Sequence, residues 1–146
     1  MGKVFLSHSS KDKEFVKIVA DLLGKNKSIY DEYYFEKGEK TLKQIFEALD
    51  STDIFVYFIS ENSLNADWVK LEINRAKELL DYQKIKRIFP IIIDENITHS
   101  DPRIANFLKD GFESYNIQRV ISPQIAYRKI LQQLSKIELD NDSEFF

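Results

Sequence analysis

One run of six residues, Ile54–Ile59, contains only aliphatic and aromatic side chains. A strand that lies between two layers of helices has no side facing water, so its residues need not alternate between apolar and polar. The run therefore predicts a central parallel strand. It also constrains the rest of the chain, which has to supply helices for both faces of the sheet.

The remaining sequence predicts an alternation of short strands and amphipathic helices. The predicted strands are 3–7, 28–31, 54–59, 88–93 and 115–121, and the predicted helices are 11–23, 39–49, 66–83 and a last one from about 123 to 137. Pro90 falls inside the fourth strand, where it removes a hydrogen-bond donor from the ladder. Right-handed crossovers between parallel strands then give an α/β fold, a flavodoxin-like doubly wound sheet of order 2-1-3-4-5 with helices on both faces.

The first helix shows how these predictions are made. It is expected to begin after Ser10, which can cap it, and to end at Gly24. Apolar residues recur along it three and four positions apart, which predicts its buried face. That face consists of Phe15, Ile18, Val19, Leu22 and Leu23.

Composition excludes several kinds of site. The chain has 146 residues, a net charge of −3, no cysteine and two histidines. We therefore expect no disulfide framework, no metal site and no direct binding of nucleic acid, and the absence of cysteine favours a reducing, cytoplasmic compartment. No apolar run is long enough to span a membrane, so no membrane partner is expected. The length fits one domain, predicted at 1–137, followed by an acidic tail at 138–146 that looks like the start of a linker to another module.

Ligands in a sheet of this order bind beyond the carboxyl ends of the strands, where strands 1 and 3 diverge. An aromatic loop after strand 2 and a helix after strand 3 are expected to border this crevice. The predicted helix start after strand 1 offers free backbone amides to a phosphate, assisted by a lysine. The residues that leave strand 1 are Ser7, His8, Ser9, Ser10 and Lys11.

The helix after strand 3 carries Trp68 and Glu72, which share one face at positions i and i+4. Its predicted buried stripe contains Val69, Ile73, Ala76 and Leu80, and Glu72 is expected beside that stripe. An ordinary interpretation is available, in which Glu72 is a solvated acid paired with Arg75.

Other doubly wound families do not fit the residues. The turn after strand 1 lacks the Gly-x-Gly-x-x-Gly pattern of dinucleotide-dependent redox enzymes and the Gly-Lys-Ser/Thr ending of a P-loop. A phosphoacceptor receiver would have an aspartate at the end of strand 3, where this chain has Ser60.

Several segments in the right order resemble the Toll/interleukin-1 receptor/resistance (TIR) domain, over about residues 3–136. Residues 4–9 look like its opening strand, and residues 29–38 resemble its second strand and BB loop. Residues 67–73 are similar to the Trp-x-x-x-Glu helix of enzymatic TIR domains, and residues 89–92 resemble the fourth strand, in which a proline is common. The stretch 94–116 has no counterpart that can be aligned.

The resemblance implies that the chain is an NAD+ nucleosidase of the bacterial type, with NAD+ as substrate and no cofactor. It would cleave the nicotinamide–ribose bond, and the catalytic acid would be Glu72. Predicted substrate-binding residues are Phe5, Ser7, His8, Ser9, Ser10, Lys11, Asp31, Phe35 and Trp68. Predicted residues of an interaction loop are Tyr33, Tyr34 and Gly38.

The resemblance also implies partners. TIR domains act by packing against one another, so self-association is expected, with a sensor module as a further partner and anti-phage defence in bacteria as the role. Two alternatives stay open. The chain could be an adaptor that acts only through homotypic binding, or an enzyme like the nucleoside deoxyribosyltransferases, which also use one glutamate.

Overall fold

A parallel five-stranded sheet forms the centre of the molecule, in a computed structural model that describes residues 2–30, 41–109 and 115–143. The strand order is β2-β1-β3-β4-β5, and every neighbouring pair is parallel. This confirms the predicted doubly wound order. The strands are β1 (Val4–Ser7), β2 (Ser28–Ile29), β3 (Ile54–Ile59), β4 (Arg87–Ile92) and β5 (Gln118–Arg119).

Helices cover both faces of this sheet. Helices α1 and α5 pack on one face and α2 and α4 on the other, and each face has its own apolar cluster. Short 3-10 turns occur at Ser10–Asp12 and Asn106–Leu108. The helices are α1 (Lys13–Leu23), α2 (Leu42–Asp50), α3 (Glu61–Leu64), α4 (Asp67–Asp81) and α5 (Pro123–Ser143). In the described residues no helix is long and apolar enough to cross a membrane.

Strand β3 is buried along its whole length, as its sequence predicts. Successive side chains of a strand point to opposite faces. Ile54, Val56 and Phe58 accordingly join the cluster under α1 and α5, whereas Phe55, Tyr57 and Ile59 join the cluster under α2 and α4. The strand therefore holds the two layers together.

Pro90 lies inside β4 without interrupting the ladder to β3. The amide of Ile93 bonds to the carbonyl of Ile59, and the carbonyl of Ile92 accepts from the amide of Val120 beside β5. Because backbone groups alternate in direction along a parallel strand, the position of the missing amide at Pro90 faces the β5 side. Since β5 pairs only with the last two residues of β4, the proline costs no bond between strands.

The predicted buried face of the first helix is wrong in its register. Ile18 and Leu22 are 41% and 43% exposed, while Val16 and Ala20 are fully buried. Both stripes share Val19 and Leu23 and have helical spacing, so periodicity alone does not choose between them. Packing between the sheet and α5 selects the stripe with the small residue Ala20, since a small side chain lets the neighbouring elements approach closely.

Other element limits also differ from the predictions. Helix α5 continues through Ser143, so the predicted helix end at 137 is wrong, although a module beyond the tail stays a prediction. Strands β2 and β5 have two residues each, fewer than predicted. An additional helix, α3, precedes α4. In α4, Leu79 is fully buried, whereas Leu80 was predicted to be.

We expect the burial of β3 to dominate stability. Phe58 is fully buried and packs edge to face on Phe15. Phe58→Ala should lower the free energy of unfolding by ~3–5 kcal/mol, because it leaves a large cavity between β3 and α1. Urea denaturation measures the loss. Tyr82→Ala is the control, since Tyr82 is 76% exposed; an equal loss in both variants would contradict this account.

Candidate functional site

Glu72 is a buried acid at the carboxyl edge of the sheet. It lies in α4 and is 2% exposed, and its Oε1 accepts a hydrogen bond of 2.9 Å from the Ser7 hydroxyl at the end of β1. The prediction that Glu72 lies beside the buried stripe of its helix is therefore wrong, because it belongs to that stripe. A carboxylate removed from water needs hydrogen-bond donors, and Ser7 supplies one.

Trp68 begins the same face of α4 one turn earlier, but it is 43% exposed. The ring thus lies at the rim of the region that encloses Glu72. Arg75 does not follow the ordinary interpretation either. Its guanidinium pairs with Glu78 at 2.8 Å and approaches Asp50 at 3.8 Å, on the outer side of α2 and α4.

His8 is fixed by the turn after β1. Its Nδ1 lies 2.8 Å from the carbonyl oxygen of Leu6, a geometry in which Nδ1 carries the proton and donates it. Its ring stacks on Tyr30, with centroids 5.4 Å apart and planes 19° apart. Both side chains are buried, at 7% and 1% exposure. Tyr30 was not among the predicted site residues. Its position directly after β2, at the carboxyl edge of the sheet, could have indicated it.

The predicted cap of the helix after β1 is wrong in detail. Ser9, rather than Ser10, caps the 3-10 turn, and its hydroxyl accepts the amide of Lys11 at 3.2 Å. The amide of Asp12 bonds to the carbonyl of Ser9. These amides are therefore not available to a phosphate, and the Asp12 carboxylate places a negative charge beside the turn. Ser10 and Lys11 are exposed.

Polar side chains join the carboxyl ends of three strands. Asp12, after β1, accepts hydrogen bonds from the Ser60 hydroxyl and the Asn62 amide, after β3. Asp94, after β4, accepts the backbone amide of Glu61 at 3.0 Å. Ser60 also caps α3 through the amide of Ser63. Short polar bonds thereby fix the connection that leads into α4 and Glu72.

Arg103 attaches residues 94–109 to this edge of the sheet. They belong to the stretch 94–116, which the sequence alone did not explain. The guanidinium of Arg103 binds both carboxylate oxygens of Glu61, at 2.6 and 2.8 Å, and both oxygens of Asp101. Buried Ile97, Ile104 and Leu108 anchor the same stretch from below. The contact with Glu61, 42 residues away, has no local pattern in the sequence, whereas Asp101 lies only two residues from Arg103.

These contacts lower the pKa values of both Glu61 and Asp101, and burial shifts that of Tyr57. Hydrogen bonds from Arg103 lower the pKa of Asp101 from 3.8 to about 2. Burial raises the pKa of Tyr57 to about 12, and the charge of Asp101 adds to that effect. Tyr57 follows Phe55 on the face of β3 that α4 covers, and it is paired in register with Ser7. Its phenol is therefore neutral at ordinary pH.

Phe5 does not lie in the crevice. It is 2% exposed and stacks on Phe55 in the apolar core, with centroids 5.4 Å apart. Its predicted contact with substrate is not supported by this placement, because the ring supports β1 from within the core. The predicted loop residues Asp31, Tyr33, Tyr34, Phe35 and Gly38 lie outside the described residues.

A groove of about 1060 Å³ lies elsewhere, at the amino end of β4 and beside the last turns of α4. Its lining includes the basic residues Lys77, Lys86, Arg87 and Lys136. None of the described residues around Glu72 contributes to it. Within the described ranges no three His, Asp or Glu side chains are placed to hold a metal ion.

Comparison with known proteins gives consistent results. A family model described as the TIR domain matches residues 4–129. The crystal structure of the TIR domain of the Toll-related receptor TRR-2 from Hydra magnipapillata is similar, with a TM-score of 0.64, 11% identity and coverage of 92% of this chain and 99% of that one. The TIR domains of the activated Roq1 resistosome, which directly recognises the pathogen effector XopQ, match with a TM-score of 0.55 and 19% identity. That match covers 63% of this chain and 57% of that one. At these identities, the two structures show a shared fold alone. No curated protein sequence matches significantly.

Asp101 gives a pH-dependent test of the Arg103 contacts. Its pKa is lower in the folded chain than its ordinary 3.8, so the stabilisation is present above about pH 4 and is lost as the pH falls towards 2. We expect Arg103→Gln to move the Asp101 titration back towards 3.8 and to remove this part of the acid dependence. Carboxyl NMR titration measures it. Arg75→Gln is the control, because Arg75 pairs with Glu78; an unchanged Asp101 titration in Arg103→Gln would contradict the assignment.

Proposed function

The chain belongs to the TIR domain family, and we propose that it is a member that hydrolyses NAD+ between nicotinamide and ribose. One observation carries the proposal: Glu72 is buried at the carboxyl edge of the sheet and bonded to Ser7, with Trp68 half exposed one turn away. A single enclosed carboxylate beside an aromatic rim suits this reaction better than it suits a surface used only for binding.

The leaving group explains why one acid suffices. Nicotinamide in NAD+ is a pyridinium cation, and it departs as a neutral base when the bond to the ribose breaks. No general acid has to protonate it, whereas ordinary glycosidases keep a second carboxyl group for an oxygen leaving group. Glu72 alone therefore meets the need of this reaction.

Glu72 would act through charge and orientation. Positive charge develops on the anomeric carbon and ring oxygen as nicotinamide leaves, and a nearby carboxylate stabilises it while holding a ribose hydroxyl. In a site from which water is excluded, one preorganised partner of this kind contributes about 3–4 kcal/mol to the transition state. The enclosure of Glu72 favours such an effect, since a low dielectric strengthens the interaction.

Neighbouring residues would hold the substrate. Trp68 would form a wall of the site, and the stacked rings of His8 and Tyr30 would support the turn after β1. Lys11 is exposed beside that turn and would meet the negative charge of the diphosphate. Water then attacks the ribose to give linear ADP-ribose, or an adenine nitrogen attacks to give a cyclic product.

The same proposal includes self-assembly, in which the predicted BB loop of one copy, the stretch up to Gly38 after the second strand, completes the site of the next. Neighbouring helices expose apolar side chains that could bury against a second copy: Leu42 of α2 and Trp68 and Leu71 of α4 are 43–44% exposed. The similar Roq1 TIR domains belong to an activated resistosome. A sensor module beyond the tail would then control assembly.

We extend the proposal to a role as the effector of a bacterial anti-phage system, where assembly would trigger depletion of cellular NAD+. This extension is supported by the resemblance to bacterial TIR effectors. A second candidate, an adaptor acting by homotypic binding alone, is favoured by the same exposed apolar side chains. Turnover of NAD+ distinguishes the two.

We expect the full chain to release nicotinamide from NAD+, and Glu72→Gln to reduce kcat about 100- to 1000-fold through loss of the transition-state charge interaction. Chromatography of nicotinamide and of the ADP-ribose products measures both. The matched control is Glu78→Gln, an exposed acid on the same helix. If the wild-type chain consumes no NAD+ even when concentrated, the adaptor becomes the better interpretation.

Assembly makes a separate prediction. Specific activity should rise with protein concentration and with a crowding agent, because a second copy completes each site. Leu71→Glu should weaken this rise by placing a charge on the exposed face of α4 without touching Glu72. Light scattering measured alongside NAD+ consumption tests it. Activity that is independent of concentration in a monomeric sample would exclude the assembly model.

A further inference from the structure

We infer that Ser7 is a positioning residue that orients the Glu72 carboxylate, rather than the substrate contact that the sequence predicts. The inference rests on the proposed function and assigns a part of the same site. It follows from the direction of one buried hydrogen bond and from the rigidity of the element that provides it.

The donor belongs to an inner strand of the sheet. Ser7 ends β1, which lies between β2 and β3, and it is paired in register with Tyr57. Its side chain is 1% exposed, and its hydroxyl donates to Glu72 Oε1 over 2.9 Å. The two residues are 65 positions apart in sequence, so the bond joins the centre of the sheet to helix α4.

The hydroxyl hydrogen of Ser7 already has an acceptor, the Glu72 carboxylate. A serine hydroxyl has one donor hydrogen, and in this structure that hydrogen points at the carboxylate. Glu72 therefore receives the only hydrogen that Ser7 has to give.

The acceptor needs such support. A glutamate has three side-chain torsions, and fixing them costs rotamer freedom. With Oε1 bonded to the end of a strand, the sheet restrains the position of the carboxylate. The reaction rate is retained when the reacting group is held within a few tenths of an ångström of its position, whereas a shift of about 1 Å lowers the rate about 100-fold.

The experiment measures kcat and KM for NAD+ under assembling conditions in four proteins: wild type, Ser7→Ala, Ser7→Thr and Ser28→Ala. Ser7→Ala should lower kcat about 10- to 100-fold with KM changed less than about twofold, because orientation acts in the transition state. Ser7→Thr keeps the hydroxyl and should recover most of kcat. Ser28→Ala is the matched control, a buried serine whose hydroxyl bonds to the carbonyl of Gly24.

Four outcomes overturn the inference. A raised KM with unchanged kcat in Ser7→Ala would make Ser7 a substrate contact. A raised kcat would make the bond a restraint that keeps the site inactive. Equal losses in Ser7→Ala and Ser28→Ala would leave only a general effect on folding. A Ser7→Thr protein as impaired as Ser7→Ala, at an unchanged urea midpoint, would show that the hydroxyl is not what the site requires.

A double-mutant cycle in urea denaturation tests the Ser7–Glu72 hydrogen bond without a measurement of NAD+ turnover. Ser7→Ala and Glu72→Gln are combined, and the change in midpoint caused by the pair is compared with the sum of the single changes. A non-additive result supports the direct bond, and additivity overturns it. A wild-type chain that leaves NAD+ intact would defeat the proposed function, whereas the cycle tests the Ser7–Glu72 bond on its own.

Discussion

Burial of β3 on both faces is the constraint on which the rest of the structure depends. A strand without a polar side chain is stable only under two layers of helices, and two layers on one parallel sheet require a crossover helix after each strand. All carboxyl ends then meet at one edge. The loops that carry Ser7, Ser60 and Asp94 are neighbours for this reason, and so the core determines where the chemistry can lie.

At that edge, the loops are held together by hydrogen bonds between polar groups as well as by apolar packing. Asp12 joins the loops after β1 and β3, and Asp94 joins the loops after β3 and β4. Each bond contributes only about 1 kcal/mol net, but leaving a buried partner unsatisfied costs more, so the set specifies one arrangement. Helix α4 therefore enters at a fixed angle, and Glu72 faces Ser7 as a consequence.

The sequence predicted the parts of the fold that local pattern encodes, and it missed those that depend on distant partners. The strand at Ile54–Ile59 and the strand order are confirmed, because unbroken apolar runs and alternating elements leave few topologies. The stripe of α1 was wrong because two stripes have the same spacing, and only packing distinguishes them. The burial of Glu72 and the contacts of Arg103 were missed, since Ser7, Glu61 and Asp101 are distant or irregularly spaced partners. The predicted roles of the site residues themselves remain predictions.

Pro90 has a consequence for the pairing of β4 with strands of other chains. Strand β5 covers only the last two residues of β4, so the earlier part of β4 has no described strand on the side away from β3. A foreign strand that tried to extend the sheet there would meet a position without an amide, and its ladder would break after a few bonds. The proline thus acts as a gatekeeper against amyloid-like strand addition, and contacts between copies are left to side-chain surfaces.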